Sequence, residues 1–136
     1  MNNKIVLVFG TFDVLHPGHL NFFEQALSLG DELFVVIARD ETVLQVKGSA
    51  PNQNEQTRKA LVEQSELVKK AYLGNVDDKY SIIEDIQPDI IALGYDQKVF
   101  VDSLESELKI RSLTCSIKRL EPFHPELYKS SLLKAE

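Results

Sequence analysis

The chain is predicted to be an α/β protein built on one doubly wound parallel sheet, and three features of the sequence predict it. Residues 5–9, 33–38 and 90–93 are continuous apolar runs rich in Ile and Val, the pattern of strands covered on both faces rather than one. Segments with helical spacing separate these runs, so neighbouring strands are joined by crossovers. The length of 136 residues and 43% hydrophobic content suit one domain, taken as 1–136, with a two-sided core.

The elements follow in order. Ile5-Val6-Leu7-Val8-Phe9 is the first strand, and Leu20, Phe23, Ala26, Leu27 and Leu29 recur at helical spacing after it, with Gly30 as the expected C-cap. With the strand at 33–38 this makes residues 4–38 a βαβ unit. Arg39 to Leu44 reads as a short polar-capped turn or helix, and residues 47–54 have the composition of a mobile loop. A helix over 55–67 with Ala60, Leu61 and Leu67 inward leads to a short strand at 71–73. Asp77 to Ile86 forms a helix stopped by Gln87-Pro88, and a strand over 89–93 ends in Gly94-Tyr95-Asp96-Gln97. A helix over 102–110, a last strand over 116–120 and a terminal helix over 128–135 complete a Rossmann-like sheet of about five strands with flanking helices. In such sheets ligands bind outside the carboxyl ends of the strands, so the ends carrying Gly10 to His19, Arg39-Asp40, Asp96 and Arg119 are expected around one crevice.

The first of these ends, Gly10-Thr11-Phe12-Asp13-Val14-Leu15-His16-Pro17-Gly18-His19, concentrates the chemistry. Gly10 permits close backbone approach to a ligand, Pro17 presets a helix-entry φ, and Gly18 leaves the N–H groups of the helix mouth unobstructed. Those donors, the positive helix end and the ring N–H groups of His16 and His19 make a phosphate site. The alternative is a turn with two solvated histidines. A zinc site is the weaker reading, because only Cys115 and His124 remain as partners and Pro17-Gly18 breaks a regular helical pair.

Composition narrows the function further. A net charge of -6 argues against a general nucleic-acid surface, while a few local cations still suffice for a small anion. No long apolar segment or secretory pattern is read at Met1-Asn2-Asn3-Lys4, so no membrane partner and a soluble, cytoplasmic protein are expected. The single Cys115 excludes an internal disulfide framework and reads as a small core residue.

Gly10-Thr11-Phe12-Asp13 with His16-Pro17-Gly18-His19 resembles the cytidylyltransferase-like nucleotidyltransferase family. The resemblance extends through Ala38-Arg39-Asp40-Glu41-Thr42-Val43, Arg58 and Ala92-Leu93-Gly94-Tyr95-Asp96-Gln97. Within that family it is most similar to the small archaeal-type FAD synthases, with glycerol-3-phosphate cytidylyltransferases as near relatives. The resemblance implies that His16 and His19 hold the nucleotide triphosphate, with Lys47 as a further phosphate-binding cation acting in catalysis. It also implies that Thr11 and Phe12 line the nucleotide pocket, that Asp96 contacts ribose or base, and that Tyr128 and Ser130 sit at a C-terminal phosphate-binding helix start. Gly10, Pro17 and Gly18 join the pocket by position, and Arg119 at a strand end is a further candidate with a surface ion pair as its alternative. The Tyr128-Lys129-Ser130-Ser131 segment departs from the commoner Ile-Ser-Thr-Thr type, and an ordinary Ser-capped helix is its alternative.

Asp13, Asp40 and Arg58 fall to the acceptor side, the carboxylates orienting cations or a hydrated metal; Asp13 also fits an ordinary turn residue. The expected reaction is adenylyl transfer from ATP to FMN, assisted by Mg²⁺ bound mainly through substrate phosphates, with no dedicated protein metal site. Gln97 and the lack of any Trp tilt the reading away from the alternative, CTP-dependent formation of CDP-glycerol. Phosphopantetheine and sugar phosphates are further acceptors in the family, a non-catalytic nucleotide-binding module is the rival of another class, and homodimers are common among relatives.

Overall fold

A computed structural model describes residues 3–78, 80–94 and 101–121, without the side chains of residues 101 and 102. Five parallel strands, β1 (Ile5–Gly10), β2 (Glu32–Ile37), β3 (Lys70–Leu73), β4 (Ile90–Leu93) and β5 (Ser116–Arg119), form one sheet in the order β3-β2-β1-β4-β5. The order reverses between β1 and β4, and that reversal opens a crevice at the carboxyl ends of these two strands.

The helices are α1 (Pro17–Leu27), α2 (Asp40–Lys47), α3 (Glu55–Glu63), α4 (Ser81–Ile86) and α5 (Val101–Ile110). Side-chain alternation along β1 sends Val6 and Val8 to one face, where Phe23 and Ala26 of α1 and Val62 of α3 cover them. Leu7 faces the other way, toward Ile83 of α4 and Leu104 and Leu108 of α5. Both faces are therefore buried, as the uninterrupted apolar strands require.

Local details differ from the sequence expectation. α1 starts at Pro17 and its C-cap is Ser28, with a right-handed φ. Gly30 serves instead as a close-approach position, since a Cβ there would stand 2.8 Å from Val6 and 2.9 Å from the Lys4 carbonyl. α2 runs to Lys47, which places that residue at the end of a helix rather than on the loop; Gly48 caps it with φ 81°. α3 ends at Glu63 and buries Arg58 and Val62, while Ala60 is exposed and Leu61 and Leu67 are half-buried. Among the described residues no helix is long and apolar enough to cross a membrane.

Candidate active site

The strand ends expected to converge are linked in two neighbouring pairs where they are described. The Ala38 amide donates to the Gly10 carbonyl at 2.9 Å, joining the ends of β2 and β1. Arg119 at the end of β5 donates from Nη1 to the Gly94 carbonyl at 2.7 Å, beside the end of β4. Asp96, Tyr128 and Ser130 lie outside the described residues, as does the expected terminal helix.

Between β1 and α1 the chain makes a strained turn, with Phe12 at φ 52° and Val14 at φ 55°. Left-handed backbone at an aromatic and a β-branched residue is costly and persists only where the surroundings enforce it. Here the Phe12 ring is buried among Phe22, Phe23 and the edge of His19. It backs the histidine and is buried, which leaves little of the ring for the expected nucleotide contact. Gly10 is explained by the same ring: a Cβ at Gly10 would stand 2.6 Å from Phe12 Cζ, so the missing side chain makes room for Phe12.

His16 and His19 then build the start of α1. His16 is the N-cap, and its Nδ1 accepts from the Gly18 amide at 3.0 Å. His19, at the third helical position, accepts at Nδ1 from the His16 amide at 3.3 Å, closing a reciprocal capping box. The His19 and Leu20 amides donate to the His16 carbonyl, so the helix mouth does not present the unobstructed Gly18 donor that the sequence suggested. Because both Nδ1 atoms accept, the proton of each neutral imidazole resides on Nε2. The two rings stack with centroids 3.9 Å apart and an interplanar angle of 24°. Burial and then repulsion from His16 hold the His19 pKa down at about 4, against the smaller raising effect of Asp13. At neutral pH His19 is a neutral donor on a positive helix end, suited to anionic oxygens.

The acceptor-side residues have another disposition. Arg58 is completely buried. Its guanidinium donates to the Gln53 carbonyl at 2.9 Å, the Thr11 carbonyl at 2.8 Å and the Asp40 carboxylate at 2.7 Å. A side chain so enclosed holds the site together, and the expected contact with an acceptor phosphate does not fit its burial. Asp13 accepts from the Asn52 amide at 2.7 Å and the Gln53 amide at 2.9 Å, while Gln53 Oε1 accepts from the Val14 amide at 3.0 Å. Desolvation raises the Asp13 pKa, but these amides together with Arg58 and Lys47 lower it more, so the net shift is downward. The segment expected to be a mobile loop is thus tied to the histidine turn.

Two further residues carry this geometry: Arg39, expected at a strand end but with no role assigned, and Glu55, which no motif announces. Arg39 donates to the Gly74 carbonyl at 2.8 Å and to Glu55 at 2.9 Å, and Glu55 also accepts from the Asp40 amide at 2.9 Å. They form one wall of a cleft of about 530 Å³ over the ends of β2 and β3, which Asn75, Asp77 and Ser81 also line. The cleft takes Arg39 and Glu41 at the start of α2 and lies on the side of the sheet away from β4 and β5. Among the described residues no group of three or more His, Cys, Asp or Glu is gathered for a metal ion. Cys115 is half-buried against the α5 side of the core, and burial followed by the charge of Asp89 raises its pKa.

This geometry has known counterparts. Residues 7–136 match the family described as Cytidylyltransferase-like. The FAD synthase of Aciduliprofundum boonei is 46% identical over 118 residues, covering 87% of this chain and 78% of that protein. The FAD synthase of Methanothermobacter thermautotrophicus is 45% identical over 88% of this chain and 81% of its own length. A crystal structure described as the lipopolysaccharide core biosynthesis protein of Thermoplasma volcanium superposes with a TM-score of 0.84 at 37% identity, covering 90% of this chain and 99% of that one. The pantoate-beta-alanine ligase of Francisella tularensis, at 17% identity and a TM-score of 0.62, shares the fold over 87% of this chain and 59% of its own. Because the family match runs through the histidine turn as well as the sheet, the chain belongs to the cytidylyltransferase-like family and is a nucleotidyltransferase.

Proposed function

We propose that this nucleotidyltransferase is an FMN adenylyltransferase, joining ATP and FMN to give FAD and pyrophosphate. The observation that carries the reading is the pair of Nε2–H donors at the sheet's switch point, in a chain 45–46% identical to archaeal proteins named FAD synthase. An oxygen of the FMN phosphate attacks the α-phosphorus of ATP; the new P–O bond forms as the bond to the bridging α–β oxygen breaks. Its electron pair leaves with pyrophosphate. The phosphomonoester is already ionised near neutral pH, so the protein supplies placement and charge stabilisation and no covalent nucleophile.

His16 and His19 donate from Nε2 to triphosphate oxygens, and Lys47 adds a positive charge as pyrophosphate departs. The nucleoside lies toward Gly94 and Arg119, on the β4 side of the switch point, and the organic part of the acceptor takes the cleft lined by Arg39 and Glu55, a reading that rests on the volume of that cleft. A Mg²⁺ ion, when bound, would be held mainly by substrate phosphates and would supply charge screening, which suits a site whose Asp13 and Asp40 carboxylates are engaged by protein donors. The substrates are small molecules, and the reading needs neither nucleic acid nor membrane.

Pyrophosphate release with four nucleoside triphosphates against FMN, glycerol 3-phosphate, phosphopantetheine and a sugar phosphate tests the proposal. ATP with FMN is expected to exceed every other pair. Release with CTP and glycerol 3-phosphate, or with a sugar phosphate, would replace the acceptor assignment; none across the panel would leave a nucleotide-binding module.

A further inference from the structure

The backbone at Asn52 and Gln53 is gripped from both sides. Asp13 takes both amides on one carboxylate, one oxygen to each, while Arg58 takes the Gln53 carbonyl. The Gln53 side chain adds a third tie through the Val14 amide. Upstream, α2 is fixed at its first residue: Asp40 binds Arg58 through its carboxylate and Glu55 through its amide. Lys47 therefore stands in an arc, residues 40–53, whose two ends are both anchored to elements carrying the β1–α1 turn or its supporting helix.

Asp13 is also the residue between left-handed Phe12 and Val14. That strain has a return if it aims the Asp13 carboxylate at the loop. With its oxygens engaged by two amides, Asp13 is poorly suited to the acceptor-side contact expected from the sequence.

We propose that Asp13 is a positioning residue for triphosphate binding: opposed by Arg58, it clamps the backbone at residues 52 and 53 and so sets where Lys47 stands relative to the His16–His19 pair. This rests on the reading above that Lys47 meets the triphosphate. It makes the acidic turn residue part of the nucleotide half of the reaction, acting through the loop and not by touching substrate.

The test is a double-mutant cycle on ATP binding, measured by calorimetry without acceptor, using Asp13→Ala, Lys47→Ala and the pair. Asp13→Ala is expected to weaken ATP binding by about tenfold, the usual scale for losing charge-assisted hydrogen bonds. In the Lys47→Ala background the same change is expected to cost less than about twofold, because its route has been removed. Asp13→Asn, which keeps one acceptor oxygen, serves if the alanine variant fails to fold and is expected to fall between. Hydrogen exchange gives a readout independent of activity: the Asn52 and Gln53 amides lose protection in the variant while the core strands keep theirs.

An equal loss of ATP affinity in both backgrounds would overturn the proposal. So would unchanged exchange at residues 52 and 53, or a loss confined to FMN affinity. If the wild type binds ATP and shows the coupling but makes no FAD, the FMN reading fails and the clamp stands. If FAD forms and the coupling is absent, the clamp alone fails.

Discussion

Arg58→Met separates a buried clamp from an acceptor-binding cation. Methionine preserves most of the aliphatic volume, so the change removes donors with little cavity. It strips hydrogen bonds of 2.9, 2.8 and 2.7 Å from two carbonyls and one carboxylate. Each orphaned carbonyl costs about 1–3 kcal/mol, with the lower end apt at these partly buried positions. The Asp40 carboxylate is 39% exposed and recovers some hydration, so its lost ion pair adds roughly 1 kcal/mol rather than the larger value for a fully buried pair. The sum is about 3–4 kcal/mol, which for a chain of this size lowers Tm by roughly 10–15 °C. Circular-dichroism melts and urea titrations read it directly. A loss under about 1 kcal/mol, accompanied by a selective rise in KM for FMN, would refute the assignment and return Arg58 to the acceptor.

The remaining predictions concern the histidine turn. His16→Asn keeps a good N-cap while deleting the Nε2–H donor, so stability is expected to stay within about 1 kcal/mol and turnover to fall about a hundredfold or more; equal losses in both would mark a purely structural turn. His19 should titrate by NMR with a midpoint near pH 4. Since its folded pKa lies below the ordinary value of 6.5, the unfolded chain binds more protons in that interval, and stability falls as pH drops from about 6.5 toward 4; an unshifted midpoint would contradict the buried, neutral His19. Gly10→Ala forces a methyl against the Phe12 ring, with an expected cost of about 1–3 kcal/mol in urea titrations.

What the sequence made legible and what it hid divide along physical lines. Strands such as Val6-Leu7-Val8 and Ile90-Ile91-Ala92 are apolar without interruption, and that continuity reports burial on two faces directly. The inward side of α3 was misread toward Ala60 and Leu61 because its largest buried side chain is Arg58, whose charge looks like a solvent signal until its three partners are known. Those partners, and the Asp13 ties to Asn52 and Gln53, span up to 47 residues, a separation that no local pattern encodes. The capping box was within reach. His16 and His19 have the N-cap to third-residue spacing with Pro17 between them, but histidine seldom plays the capping parts usually taken by Ser or Thr and Glu. Each ring uses Nδ1 for the backbone, and that structural part stands beside whatever Nε2 does.

The most direct measurement follows label from ATP carrying isotopic phosphorus at the α position, incubated with FMN and Mg²⁺. The account predicts that label enters FAD in step with pyrophosphate release and that none becomes bound to protein. Label recovered on the protein, or remaining in ATP while every acceptor in the panel goes unmodified, would contradict direct nucleotidyl transfer at the histidine turn.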